Sequence, residues 1–228
     1  MNLITTFYHS ENNQRNNEIQ KCLISNNNNS YIKKIYLLND KMYPLHFIQD
    51  KTKIVQIEVD DKNKDRLMFS YAFHFINNNL SGEPCILSNS DIIFDNTLSL
   101  FNNYNWNNKF LALSRYNDFA RKQLALQYSQ DAWLFMSPCK IPLGKCNFTL
   151  GKMGCDGRIA YLAHDSGYHL LNPALSIYSY HVHESNFRTY KINDRVEKPY
   201  IWVYASRLNQ QCLLKIKTNK DLMPINNN

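Results

Sequence analysis

Residues 84–95 read PCILSNSDIIFD and carry an apolar run straight into a group of polar side chains. Residues 85–87 have the composition of a buried strand, and a second apolar triplet follows the polar group. Asn89 and Asp91 would then lie at the carboxyl end of that strand. Such a pair could close an Asx turn, or its oxygen atoms could hold a metal ion.

The apolar patterns on both sides of this stretch predict an α/β fold. Strands are predicted over residues 2–8, 32–38 and 53–59, and helices over residues 10–24 and from about 64 to 77. The asparagine run at residues 26–29 is expected to end the first helix in a loop. This order favours a mainly parallel sheet flanked by helices, in a single domain of residues 1–228. Ligands of such sheets bind at the carboxyl ends of the strands, where Asn89 and Asp91 are expected.

The composition limits the classes of function. The chain has 228 residues, 44% of them hydrophobic, which is enough to bury a core. The formal net charge of +7 favours anionic partners such as nucleic acid, anionic lipid or a phosphorylated small molecule. The basic residues form no long run, which argues against a nucleic-acid partner. No segment is apolar enough to span a membrane, and six cysteines without a Cys-x-x-Cys pair indicate reduced thiols in a cytoplasmic protein.

The second half of the chain supplies candidate acids. A strand predicted at residues 109–114 leads into Arg115, and Asp131 follows close to Trp133. A carboxylate beside an indole is typical of sugar sites, although a tryptophan can equally belong to the core. Asp156 lies at the front of a predicted helix, where it could cap the helix or act as a general base.

Histidines and arginines supply the remaining candidates. His181 and His183 are two residues apart on a predicted strand, so both side chains point to the same face. They could reach a metal ion or a phosphate, or they could be structural. Four arginines follow predicted strands or stand near helix starts, where they could grip a diphosphate or simply face solvent: Arg15, Arg66, Arg115 and Arg158.

Taken in order, these motifs resemble a small group of GT-A glycosyltransferases found in large DNA viruses and some bacteria. The resemblance covers nearly the whole chain. It is carried by ITTFYHSENNQRNNEIQ (4–20), ILSNSDIIFD (86–95), LALSRY (111–116), SQDAWLF (129–135), GCDGRIAYLAHDSGYHLLNPALSIYSYHVHES (154–185) and FRTY (187–190).

The resemblance implies a GT-A, Rossmann-like fold and a hexosyltransferase-type enzyme with Mn²⁺ or Mg²⁺ as cofactor. The enzyme would move a sugar from a nucleotide diphosphate sugar, with a UDP-sugar favoured, to a hydroxyl of a glycan or glycoprotein acceptor. The metal-binding DxD motif of the family corresponds to Asn89-Ser90-Asp91, so an amide replaces its first carboxylate. Asp91 is then the main metal ligand, together with His181 or His183. Asp156 corresponds to the catalytic base of inverting enzymes.

The resemblance also assigns the two substrates to residues. The donor would be bound by Thr6, Phe7, Arg15, Arg66, Asn89, Ser90, Arg115 and Arg158. Asp131 and Trp133 would line the sugar or acceptor pocket. The basic charge would attract the donor diphosphate, without a nucleic-acid partner and without a membrane span.

Three other functions remain open from the sequence, of which a nucleic-acid-binding protein is the least favoured because the basic residues are scattered. A nucleotidyltransferase has a similar fold and metal chemistry, but it usually carries a glycine-rich loop after its first strand, and FYHSENNQR at residues 7–15 contains no glycine. An inactive homologue that binds a sugar nucleotide would keep the pocket without the chemistry. The replacement of an acid by Asn89 favours that alternative, whereas Asp91 and Asp156 argue against it.

Overall fold

Eleven strands and three α-helices make up the described part of the chain, which a computed structural model gives for residues 1–59, 66–185 and 194–218. The strands are β1 (Asn2–Thr5), β2 (Lys34–Asn39), β3 (Ile54–Glu58), β4 (Pro84–Ser88), β5 (Ile92–Phe94), β6 (Lys109–Ser114), β7 (Gln130–Met136), β8 (His169–Leu171), β9 (Ser179–His181), β10 (Tyr200–Val203) and β11 (Leu214–Lys217). The helices are α1 (Asn13–Asn28), α2 (Phe69–Asn79) and α3 (Cys155–Asp165).

Seven of the strands form one mixed sheet in the order β3-β2-β1-β4-β7-β6-β8. Six of them run parallel, and β7 is antiparallel to both of its neighbours. The predicted α/β fold with a mainly parallel sheet flanked by helices is therefore confirmed. Because β7 runs the other way, its beginning lies at the same edge of the sheet as the carboxyl ends of β4 and β6.

The sheet is buried on both faces by alternating side chains. Ile4, Leu87 and Phe135 point to one face, where α2 and α3 complete the core. Leu3 and Ile86 point to the other face, which α1 covers with its own apolar residues. Side chains alternate between the faces along a strand, so one apolar run supplies both cores.

The asparagine run does not form the loop that the sequence predicted. Asn26, Asn27 and Asn28 are the last turn of α1, and the first two are buried. The Asn26 side chain donates to the carbonyl of Ile92 at 2.8 Å and accepts from the amide of Phe94 at 3.0 Å. An amide side chain has one donor and one acceptor side, as a peptide group has, so Asn26 pairs with the backbone of β5 and fixes the helix to it.

Two small ladders stand apart from the main sheet. β5 pairs antiparallel with β9, which sets Ile92 opposite His181. This pairing brings β9 next to Asp91, the residue that precedes β5. β10 and β11 form an antiparallel pair, and β10 packs on α3. A Cβ on Gly157 would lie 2.8 Å from that of Tyr200, so this helix and strand need the glycine to approach each other.

Other sequence predictions have mixed outcomes. All six cysteines are free thiols, as expected. None of the described helices is long and apolar enough to cross a membrane. The predicted start of the second helix at residues 64 and 65 and the FRTY motif at residues 187–190 lie outside the described residues.

Candidate active site

The candidate residues gather where several elements end at one edge of the sheet. Thr6 follows β1, Asn89 follows β4, Arg115 follows β6, and Asp131 lies at the start of the antiparallel β7. The backbone amide of Asn89 donates to the carbonyl of Asp131 at 3.0 Å, which closes this edge. The edge therefore carries two groups of side chains, one on each side of the segment Asn89-Ser90-Asp91.

The first group is a carboxylate with two imidazoles. The backbone amide of Val182 donates to the carbonyl of Asp91 at 2.9 Å, which places β9 beside Asp91. His181 Nε2 lies 3.2 Å from Asp91 Oδ2, and the rings of His181 and His183 stack with centroids 5.1 Å apart. One ligand atom from each of these three residues lies within 4.8 Å of the others. The sequence prediction that both histidines face the same way is confirmed.

Arg15 of α1 joins the same group. Its Nη2 donates to Asp91 Oδ2 at 2.6 Å, and its Nη1 lies 3.0 Å from His183 Nδ1 and 3.0 Å from Glu18 Oε2. The side chains of Arg15, Glu18 and Asp91 are each at most 10% exposed. Charges this deeply buried are retained in proteins when they are paired, as these are.

The pKa directions follow from these contacts. Burial would raise the pKa of Asp91, but the hydrogen bond and charge of His181 and the nearby Arg15 guanidinium lower it well below the ordinary value. The pKa of His183 is lowered by burial and then by the positive charge of Arg15. The group thus combines an ionised carboxylate with an imidazole held in the neutral form, the state in which both can bind a metal.

The donor set fits a divalent cation. Asp91 Oδ2 takes both hydrogen bonds, whereas Asp91 Oδ1 is buried and has no hydrogen-bond partner among the described residues. A buried carboxylate oxygen without a partner needs an explanation, and a cation would supply one. One carboxylate with two imidazoles is a set that transition-metal ions accept.

The second group is an ion pair with an amide. Arg115 Nη1 donates to Asp131 Oδ2 and, at 2.7 Å, to Ser129 Oγ. Asn89 Nδ2 donates to the other carboxylate oxygen of Asp131 at 2.5 Å. Asp131 and Arg115 are less than one-fifth exposed. Asn89 therefore orients Asp131, while its neighbour Asp91 belongs to the first group.

Asp156 adds a second carboxylate near this ion pair. It lies in the first turn of α3 and accepts hydrogen bonds from the backbone amides of Gly157, at 2.9 Å, and Gln130. Burial raises its pKa to about 6, although these amides and the charge of Arg115 act in the opposite direction. Its environment thus moves the pKa in the opposite direction from that of Asp91, a difference typical of carboxylates with different catalytic roles.

The structure places the other predicted residues as follows. Arg66 Nη1 donates to the carbonyl of Gly151 at 2.8 Å, so it lies beside the loop that precedes α3. Thr6 and Ser90 are half-buried at the sheet edge. Arg158 lies against the ring of Tyr161, with its Nη1 3.5 Å from the carbonyl of Pro199.

Two predicted aromatic residues lie in the core. Trp133 is fully buried and packs edge-on against Phe69, with ring centroids 4.8 Å apart. Phe7 is 2% exposed and packs against Tyr43 and Phe47. Of the predicted sugar pair, Asp131 therefore lies at the site while Trp133 supports the sheet beneath it.

Sequence reasoning missed Glu18, which links α1 to the segment that follows His183. Glu18 accepts from Arg15, and it also accepts from the amide and hydroxyl of Ser185 at 2.6 and 3.0 Å. It therefore holds the segment after His183 against α1. The spacing of Arg15 and Glu18 at i and i+3 was the available signal, because such residues are neighbours on a helix.

Comparison with known proteins gives a structural neighbour. No family model matches the chain, and no curated protein matches it. Among solved structures, the apo form of the glycosyltransferase GlyE from Streptococcus pneumoniae TIGR4 is similar, with a TM-score of 0.48 and 14% sequence identity. The similarity covers 83% of this chain and 56% of that one, so this chain spans little more than half of that enzyme's length. Similarity at this level concerns the backbone fold and says nothing about substrates or catalytic residues.

Proposed function

We propose that this chain is a GT-A-type glycosyltransferase that moves a sugar from a nucleotide diphosphate sugar to an acceptor hydroxyl with inversion. One observation carries the proposal. The ligand-binding edge of the sheet holds a possible metal group built on Asp91 and, across the same short segment, a pair of acids, Asp131 and Asp156. Metal-assisted transfer from a diphosphate needs a cation site and a base at one edge.

Asp91, His181 and His183 are the residues that would hold the ion. Asp91 offers its unpartnered Oδ1, and the histidines offer ring nitrogens. A bound divalent ion would neutralise the negative charge of the departing diphosphate. Imidazole ligands suit Mn²⁺ better than Mg²⁺, which prefers oxygen ligands, so we propose Mn²⁺ as the better cofactor.

Asp156 is the proposed general base. With a pKa of about 6, most of its carboxylate is ionised at neutral pH and can take a proton from the acceptor hydroxyl. The attacking oxygen would then form its bond to the anomeric carbon as the bond to the diphosphate breaks. A single displacement of this kind inverts the anomeric centre.

Asp131, Arg115 and Asn89 are the proposed sugar contacts. Asp131 is held by the other two residues, so its position is fixed before a sugar arrives. A fixed carboxylate accepts hydrogen bonds from sugar hydroxyl groups with little loss of conformational entropy. Preference for a UDP-sugar as donor, and for a glycan or glycoprotein as acceptor, is part of the proposal and rests on the family resemblance.

A thermal-shift titration tests the proposal. Melting temperature would be measured with UDP, GDP, CDP and TDP, each with and without Mn²⁺, because a ligand of the native state raises it by mass action. We expect one nucleotide to raise the melting temperature, and Mn²⁺ to enlarge that shift. In Asp91→Asn, Mn²⁺ should no longer enlarge the shift in melting temperature. The control Asp165→Asn changes an exposed ion pair at the end of α3, and there Mn²⁺ should still enlarge the shift. If no nucleotide changes the melting temperature, the chain is not a nucleotide-sugar transferase.

A further inference from the structure

Arg15 already contacts two of the three residues that could hold a metal ion. Its guanidinium lies 2.6 Å from Asp91 Oδ2 and 3.0 Å from His183 Nδ1. Metal–ligand bonds to oxygen and nitrogen are roughly 2.0–2.3 Å long, so an ion bound to these same two atoms would overlap the guanidinium. A neutral ring nitrogen has one lone pair, so an ion can take His183 Nδ1 only if Arg15 Nη1 leaves it, even where the ion also uses the unpartnered Oδ1 of Asp91.

The charges of the group lead to the same result. Asp91 and Glu18 are negative and Arg15 is positive, so these three side chains together carry one net negative charge. A divalent ion added beside Arg15 would leave one net positive charge, which an anionic diphosphate bound with the ion would compensate. Uncompensated charge in a buried site is unfavourable, so binding of the ion alone is opposed while Arg15 is in place.

We propose that Arg15 is the resident cation of this site and that it competes with a divalent ion for Asp91 and His183. This inference rests on the metal site of the proposed function and adds the regulation of that site. A diphosphate would relieve the competition, because it brings negative charge and bidentate oxygen partners for the displaced guanidinium. Metal and donor should therefore bind together.

Glu18 makes the displacement feasible. Its carboxylate lies 3.0 Å from Arg15 Nη1 and is held separately by the amide and hydroxyl of Ser185. Arg15 can therefore leave Asp91 and keep one ion pair. Glu18 is a positioning residue in this scheme, since it acts through Arg15.

Mn²⁺ binding without any nucleotide tests the competition. Binding would be followed by electron paramagnetic resonance for the wild type, Arg15→Gln and the double variant Arg15→Gln/Asp91→Asn. We expect Arg15→Gln to bind one Mn²⁺ at least about tenfold more tightly than the wild type, and the double variant to lose this gain. Arg121→Gln, which alters an exposed arginine paired with Asp95, is the matched control and should bind as the wild type does.

Two results would overturn the proposal. The first is equal Mn²⁺ affinity of the wild type and Arg15→Gln. The second is a gain that persists in the double variant, since the ion would then bind elsewhere.

Arg15→Gln leaves buried carboxylates without their partner and could unfold the protein. The same competition then predicts that added Mn²⁺ restores the helical circular-dichroism signal of Arg15→Gln, because the ion replaces the missing charge. Failure of Mn²⁺ to restore the signal would contradict the proposal.

These experiments separate the inference from the proposed function. They contain no nucleotide, so a gain of Mn²⁺ binding in Arg15→Gln supports the competition even if the wild type binds no nucleotide. Conversely, nucleotide binding by the wild type together with unchanged Mn²⁺ affinity in Arg15→Gln would support the transferase and remove the competition.

Discussion

At the scale of single residues, the pKa values of two carboxylates near one sheet edge are shifted in opposite directions. Asp91 is paired with His181 and Arg15, which lower its pKa, so it stays ionised into acidic solution. Backbone amides and the charge of Arg115 oppose the effect of burial on Asp156, and its pKa is nevertheless raised to about 6. One acid is suited to hold a charge and the other to exchange a proton.

Asp156 should set the acid limb of the pH–rate profile. A base works only when ionised, and the carboxylate of Asp156 is lost as pH falls through about 6. We expect kcat/KM for transfer, or for donor hydrolysis, to fall about tenfold for each pH unit below that value. Measurement of initial rates between pH 4.5 and 8 checks this.

Variants separate this role from a helix-capping role. Asp156→Asn should lower the rate at pH 7.5 by roughly a hundredfold or more and remove the acid limb, while Asp165→Asn should keep both. A fully active, folded Asp156→Asn protein would show that the residue only supports the first turn of α3, whose N-cap is Gly154.

The sequence supported some of these residues and could not reveal others. Asp91, Asp156 and the histidine pair could be predicted because strand ends, helix starts and the two-residue period of a strand are local properties. The ion pair of Arg15 and Asp91 could not, because it joins residues 76 positions apart and depends on how α1 packs beside β5. The burial of Trp133 was equally hidden, since it depends on Phe69 from α2.

At the scale of elements, the junction of α1 and β5 supports the group formed by Asp91, His181 and His183. β5 begins directly after Asp91, and Asn26 of α1 pairs with its backbone at Ile92 and Phe94. The same helix presents Arg15 to Asp91. A change at Asn26 therefore acts on the strand that fixes Asp91.

Asn26→Ala should destabilise the protein by about 2–4 kcal/mol. The change removes two buried hydrogen bonds and leaves the Ile92 carbonyl and the Phe94 amide unpaired. Asn28→Ala, in the same run but exposed, should stay within about 0.5 kcal/mol of the wild type. Urea unfolding followed by circular dichroism measures both, and equal midpoints for the two variants would contradict the role of Asn26.

The strands were predicted better than the asparagine run. β6 begins and ends where its apolar run predicted, because a strand buried on both faces is continuously apolar. Asparagine normally indicates a loop, since its side chain competes for backbone hydrogen bonds. Here the side chain of Asn26 in α1 makes its hydrogen bonds to the backbone of β5. This pairing is a property of the tertiary structure and has no local signal in the sequence.

At the scale of the whole molecule, the charge of +7 favours a phosphorylated ligand. The pairs of Arg15 with Asp91 and of Arg115 with Asp131 are neutral in this sum, so the excess positive charge comes from the remaining residues. This excess acts at long range and is screened by salt. Attraction of a diphosphate should therefore depend on ionic strength.

The affinity for the diphosphate should fall with salt. For the nucleotide that raises the melting temperature, we expect the Kd to rise about three- to tenfold between 50 and 300 mM KCl. The matching nucleoside lacks the phosphates, and its weaker binding should stay constant. Isothermal titration calorimetry measures both, and a salt-independent Kd for the diphosphate would assign its affinity to short-range contacts alone.

The contacts of Asp91 also determine when the site can exist during synthesis of the protein. Asp91 bonds to Arg15 and to His181, which is made 90 residues after it. In a chain growing on the ribosome, residues 1–94 are made long before β9, and until His181 emerges β5 lacks its partner strand β9 and Asp91 lacks the imidazoles. An incomplete chain that ends before residue 181 therefore lacks both histidines that lie beside Asp91, and we expect it to be inert towards a nucleotide sugar.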